Sequence, residues 1–378
     1  MRNFSLNDST QVKILPIIKR TEDLLGDLSS SINGRDCDAE VVAMPDLGLP
    51  HNVDRMVGGF FTGAYYSWES DIPWIPVDAT VNSCGVSIYK IESGFETEFE
   101  FELSIQTAIN KISESSWTWN YNAGNHFITY GHVSADSSSK NLPEGYYLVL
   151  HASPAEYKNQ FNGLYPHPGN WYSDDIRIFS DDRVVNRYIR YISGVKAERF
   201  YRLSKLLDNL FSERNEFVAA LVAGRRSITP MTEVLHYGMP DRCSIAIGCQ
   251  WLDASDPRYL LLTRPGAPLI FIESDLGGLN EVQLRAGVSN RTLTPHGMGV
   301  RLASTSDELE VGNGRLRIGD RSFGPGESLR DTGLMKIREF DLDDSLAKIL
   351  KLCPGTVIGM IDPIFSHFRI DATERFGA

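Results

Sequence analysis

The feature that most constrains the fold is the shortness of the apolar runs. Val41-Val42-Ala43-Met44 stops at Pro45-Asp46, and Val86-Ser87-Ile88-Tyr89 starts directly after Cys84-Gly85. Tyr146-Tyr147-Leu148-Val149-Leu150 runs into His151, and Leu260-Leu261-Leu262 and Pro268-Leu269-Ile270-Phe271-Ile272 follow further on. Runs this short, bounded by Gly, Pro and polar residues, read as strands. One long stretch behaves differently. From about Asp181 to Val222 there is no proline, and Leu203, Leu206, Leu207 and Leu210 form an apolar stripe at helical spacing. A short helix is expected near 343–352, before a last strand at Thr356-Val357-Ile358-Gly359-Met360. The expectation is a mixed α+β fold, a single mixed-sheet domain over 1–378 with a helical insertion at 181–222.

Composition narrows the class of protein. Hydrophobic residues make up 42% and charged residues 23%, the balance of a globular chain. No run approaches the ~18 apolar residues of a membrane helix. Met1-Arg2-Asn3-Phe4-Ser5 lacks the apolar core of a secretion signal. The expectation is a cytoplasmic protein with no membrane partner. Asp and Glu outnumber Lys and Arg by 49 to 37, a net charge of -12, which argues against a general nucleic-acid coat but not against a local basic groove. Arg183, Arg187 and Arg190 would share one face if 181–222 is helical throughout, followed by Lys196, Arg199, Arg202 and Lys205 at spacings of three. That pattern reads either as a track for a phosphate backbone or as a solvated helix face.

The five cysteines are odd in number and form no CxxC pair, which excludes a disulfide framework or a four-cysteine zinc knot as the organising feature. The histidines are more informative. His126 lies in Asn125-His126-Phe127-Ile128, His151 ends an apolar strand, His236 follows Val234-Leu235, and His296 opens His296-Gly297-Met298-Gly299. Any one of them reads as a hydrogen-bonded core side chain. Together with Cys84, flanked by glycine, they make a dispersed imidazole and thiolate set suited to a transition metal such as Zn, Mn, Co or Fe.

In this order the segments resemble the RtcB-type RNA ligases. Met44-Pro45-Asp46 with Gly58-Gly59 is similar to the family's MPD and GG segment, and Asn82-Ser83-Cys84-Gly85-Val86 to its metal-cysteine motif. Gly124-Asn125-His126-Phe127-Ile128 is the closest local match, and Leu150-His151-Ala152-Ser153 and His236 resemble two further metal-histidine positions. Pro268 to Ser274, His296-Gly297-Met298-Gly299 and Pro363-Ile364 complete the series, which covers roughly 40–370. The resemblance implies Cys84, His126, His151 and His236 as ligands for one or two manganese ions, with zinc or cobalt as alternatives. It implies GTP as co-substrate, His296 as the residue that is guanylylated, and Asn125, Gly297, Gly299, Arg301 and Ser274 as nucleotide contacts. The implied substrate is RNA with a 3′-phosphate or 2′,3′-cyclic phosphate end and a 5′-hydroxyl end.

Several positions depart from the family pattern. Val81 stands where the metal-cysteine motif has aspartate, with Asp78 nearby but out of register, and Gly48 replaces the histidine after MPD, leaving His51 as nearest substitute. Thr129 replaces a glutamate and Val300 an arginine; a basic segment is reduced to Thr263-Arg264-Pro265-Gly266; and the terminal lysine is gone, Arg369 being the nearest cation. These losses leave a second reading open: a metal-binding relative without ligase activity, acting as a phosphoesterase or as a nucleotide- or RNA-end-binding protein.

Overall fold

The structure is a computed structural model, and it describes residues 1–122, 125–154, 164–181, 186–263, 266–285, 289–338 and 342–368. It is mixed α+β and strand-rich. Five α-helices lie among the described residues: α1 (Ser9–Asn33), α2 (Val53–Gly58), α3 (Glu98–Ser113), α4 (Val195–Ala223) and α5 (Leu342–Leu352). None of them is long and apolar enough to cross a membrane.

Two large sheets carry the architecture. One has seven antiparallel strands in the order Ile228–Leu235, Gly85–Ile91, Gly145–Ala152, Phe127–Val133, Gly355–Phe368, Leu269–Ser274 and Arg258–Leu261. The other has five, in the order Arg2–Asn3, Ala39–Gly48, Thr62–Trp68, Ser244–Ile247 and Tyr237–Gly238. A three-stranded sheet, Cys249–Leu252, Asn290–Pro295 and Glu281–Gln283, adjoins them. Helix α1 covers the five-stranded sheet, and Ile14, Ile18, Leu24, Leu25 and Leu28 are buried against Val41, Ala43, Tyr66 and Trp68 in one core. A second core joins α3 and α4 to the seven-stranded sheet through Phe101, Ile105, Val218 and Val222 packed on Tyr89, Tyr130 and Leu148.

Helix α1 has a clear local cause. Asp8 accepts the N–H groups of Thr10 and Gln11 at 2.9 and 2.8 Å while Gln11 caps Asp8 in return, and Gly34 closes the helix in the left-handed conformation. Helix α4 corrects the expectation for 181–222. It starts at Val195, after a strand at Ile189–Ser193, and packs into the core instead of standing apart. Its buried face runs Phe200, Ser204, Leu207, Phe211, Asn215, Val218 and Val222; of the leucine stripe only Leu207 is buried, and Leu206 is 51% exposed.

Among the described residues the basic face does not form either. Arg187 is buried and donates to Thr21 Oγ1 at 3.1 Å. Arg190 lies in a strand, its Nε 3.0 and 3.1 Å from the two carboxylate oxygens of Asp78. Arg183 lies outside the described residues, as do Gly124, Arg264, Pro265 and Arg369. Further along, Lys196 pairs with Asp175, Arg202 with Glu198 and Lys205 with Asp208, and Arg199 stacks on Trp171. These cations answer internal partners, which is a physical reason not to read them as a free phosphate track.

Candidate metal centre

Four neighbouring strands of the seven-stranded sheet each deliver one ligand to the same edge. His236 follows Leu235, Cys84 precedes Gly85, His151 lies at the end of its strand, and His126 precedes Phe127. The register makes them neighbours: Leu235 pairs with Gly85, Gly85 with Ala152, Val86 with His151, and Phe127 with His151. Adjacent strands lie ~4.8 Å apart, so side chains at such positions meet across the edge. Cys84 Sγ is 3.3 Å from His151 Nε2 and 3.4 Å from His126 Nε2, and His151 Nε2 is 3.3 Å from His236 Nε2. The three donor atoms of Cys84, His126 and His151 lie within 4.8 Å of one another, and this buried group can hold a metal ion.

Donor chemistry supports the fit. His126 Nδ1 is 2.9 Å from the Asn120 carbonyl and His151 Nδ1 is 3.0 Å from the Asn125 carbonyl. A carbonyl only accepts, so each Nδ1 carries the proton and each Nε2 turns a lone pair toward Cys84. Burial pushes the Cys84 thiol up to about 12 and takes His151 and His236 well below the ordinary imidazole range, with neighbouring histidine charge adding to both. His236 Nδ1 is buried without a partner among the described residues. Lone pairs that converge with so few protons between them are what a cation satisfies.

His296 enters from the three-stranded sheet. It follows Pro295 at a strand end, lies 4.7 Å from His236 between ring centroids, and is tied at Nδ1 to Asp46 Oδ2 at 2.5 Å. The same oxygen accepts the backbone N–H groups of His296 and Gly297 at 3.1 and 3.3 Å. Asp46 comes from the five-stranded sheet, so the centre sits where three sheets end together. His236 lies between a strand of the seven-stranded sheet and one of the five-stranded sheet, and its N–H and that of Tyr237 both donate to the Cys84 carbonyl. Gly299 has a left-handed φ of 71°, and a Cβ there would lie 2.2 Å from the Asp46 carbonyl, so both conformation and space call for glycine.

The centre opens on a cleft of about 520 Å³, within the range of small-molecule sites. Cys84, His126, His151, His296, Asn125, Gly297 and Gly299 line it. Ser274 and Arg301 do not. Ser274 closes a strand and donates to the Pro354 carbonyl, and Arg301 pairs across a strand with Lys336 while its neighbour Val300 faces the cleft. Asp78, the carboxylate nearest Val81 in sequence, is taken by Arg190 and does not join the ligand group. One cleft residue and one pairing carry no signal in the sequence. Asp46 stands in the Met44-Pro45-Asp46 segment, but nothing in the sequence shows that its partner is His296. Arg55, in α2, carries no periodicity or motif that marks it.

Compared with known proteins, the chain matches no family model and no curated protein.

Proposed function

We propose that this chain is a divergent RtcB-type enzyme that joins an RNA 3′-phosphate or 2′,3′-cyclic phosphate to a 5′-hydroxyl, using GTP and manganese. The observation that carries the reading is that Cys84, His126, His151 and His296 meet at one cleft with His236 packed against His151 and His296, from segments spread over more than 200 positions in family order. A divalent cation held by the thiolate and imidazoles would supply charge neutralisation at phosphorus.

The residues of the chain supply the rest. Asp46 holds the Nδ1 proton of His296, which leaves Nε2 as the nucleophilic nitrogen. Attack of Nε2 on the GTP α-phosphorus forms an N–P bond and expels pyrophosphate. A 2′,3′-cyclic end is first opened by water to the 3′-phosphate; the guanylyl group then passes to that 3′-phosphate as the N–P bond to His296 breaks, and the 5′-hydroxyl displaces GMP. Holding the reacting nitrogen in the line of attack is the entropic part of the rate enhancement.

A specific observation favours the second reading, a metal-binding relative without ligation. Val81 brings no carboxylate to a second ion, Asp46 and Asp78 are engaged by His296 and Arg190, and two expected nucleotide contacts lie off the cleft. The readings separate on incubation with labelled GTP and Mn²⁺ followed by denaturing gel electrophoresis. The ligase reading expects an acid-labile, base-stable adduct, lost in His296→Ala although that variant keeps its metal, and lost together with metal in His126→Ala. Bound metal without an adduct from any of the four nucleoside triphosphates sinks the ligase reading and promotes the phosphoesterase one.

A further inference from the structure

Helix α2 places an arginine in the cleft wall with no counter-charge among the described residues. Arg55 is 6% exposed and lines the cleft. Among the described residues no carboxylate comes within ion-pair distance of it. The two nearby acids are engaged elsewhere: Asp54 accepts the Gly326 N–H at 3.0 Å, and Glu327 accepts the Gly324 N–H. Arginine cannot escape burial by losing its proton. An unpaired charge withdrawn from water is expensive, so a built-in cation of this kind calls for an anion.

The guanidinium is also held in place. Nε donates to Thr80 Oγ1, Nη2 donates to the Thr80 carbonyl at 2.5 Å, and the group stacks 4.8 Å over the Tyr237 ring. Tyr237 is fixed by Thr62 Oγ1 at 3.0 Å and by its N–H on the Cys84 carbonyl, which sets Arg55 beside the ligand edge. Nη1 is the one guanidinium nitrogen without a protein partner among the described residues. A second donor is left over on the loop that Arg55 braces. Asn82 lines the cleft, and its Oδ1 accepts the Cys84 N–H at 3.2 Å, which fixes the amide orientation. Its Nδ2 then has no acceptor among the described residues. The loop that bears it is set by left-handed Thr80 and Ser83, with φ of 45° and 48°, the sort of strain that survives where surrounding contacts impose it.

We infer that Arg55 Nη1 and Asn82 Nδ2 form an oxyanion receptor beside the Cys84 edge, and that its ligand is a phosphate group. The identification as phosphate rests on the proposed ligase reading; the receptor itself does not. Neither residue belongs to the nucleotide contacts that the family resemblance implies. A fixed guanidinium with a free nitrogen and an amide N–H, both lining the cleft and both tied to the Thr80–Cys84 loop, offer two donor groups of the kind that recognise a tetrahedral oxyanion.

The test is calorimetric titration of the full chain with inorganic phosphate, in chelator so that no metal contributes. The wild-type protein should bind phosphate, and Arg55→Met should weaken it by at least about tenfold, with Arg55→Lys losing less because the charge remains. Because Arg55 also braces Thr80, Asn82→Asp is the second arm: it keeps the acceptor for the Cys84 N–H, replaces the donor by a like charge, and should also weaken phosphate by about tenfold or more. Competition names the source. Displacement of phosphate by a short RNA ending in 3′-phosphate, but not by the same RNA ending in 3′-hydroxyl, assigns the RNA end; displacement by GTP assigns the nucleotide. Wild-type protein that binds no phosphate, folded variants that bind it within about twofold of wild type, or displacement by neither competitor would overturn the receptor. Phosphate binding that follows Arg55 and Asn82 while no histidine adduct forms would remove the ligase reading and leave the receptor standing.

Discussion

Metal binding at the Cys84 edge should release one proton, so affinity should rise tenfold per pH unit. The Cys84 thiol is buried between two imidazoles and pushed up to about 12, whereas the ligand form is the thiolate. An entering ion must therefore displace the Sγ proton across the whole neutral range. His151 and His236 are the opposite case, since burial lowers them and they are already neutral near pH 7. The sign follows: raising pH reduces competition by the thiol proton, and Kd falls. One unit is worth ~1.4 kcal/mol, so two units between about pH 6.5 and 8.5 should tighten binding about a hundredfold. The assay is competition against a chromophoric chelator at a series of pH values, corrected for the chelator's own protonation. Cys84→Ala should bind weakly and with a slope near zero. A flat wild-type profile, or an equal slope in Cys84→Ala, would refute thiolate ligation.

Three further outcomes follow from the same geometry. Asp46→Asn replaces a charge-assisted bond worth ~1.5–3 kcal/mol, so single-turnover guanylylation should slow by about ten- to a hundredfold while metal content holds. Arg190→Gln strips the partner from buried Asp78 and should cost about 2–4 kcal/mol in denaturant unfolding, yet leave the salt dependence of RNA binding unchanged; a flattened salt slope would restore the basic-track reading. Saturation with metal at about 100 times Kd should stabilise the chain by ~2.7 kcal/mol, a rise of about 3 °C in Tm for a chain of this length, which a chelator should reverse in differential scanning calorimetry.

The strands were legible because their residues alternate or run apolar between turn residues. Val86 to Tyr89, Tyr146 to Leu150 and Leu269 to Ile272 all lie inside observed strands. What periodicity could not give was register, and the centre is a product of register: Cys84, His126, His151 and His236 become neighbours only when four strands align at one edge. Helix α1 went unread although its signal was present, an Asp8 and Gln11 capping box ahead of Ile14, Ile17 and Ile18, with Pro16 inside the helix obscuring the pattern. The stretch after Asp181 misled for a related reason. Absence of proline permits a helix but does not start one, and Gly194 marks where α4 begins. Arg187 and Arg190 were read as a face because spacing is visible in sequence, while their partners Thr21 and Asp78, more than a hundred residues away, are not.

The account turns on a sulfur and imidazole centre at Cys84, His126 and His151, and X-ray absorption at the edge of the bound metal measures that most directly. Zinc-loaded protein should show one sulfur scatterer at ~2.3 Å with imidazole nitrogens at ~2.0–2.1 Å, and Cys84→Ser should lose the sulfur shell. A shell of oxygen and nitrogen alone in the wild-type protein, unchanged in Cys84→Ser, would contradict it.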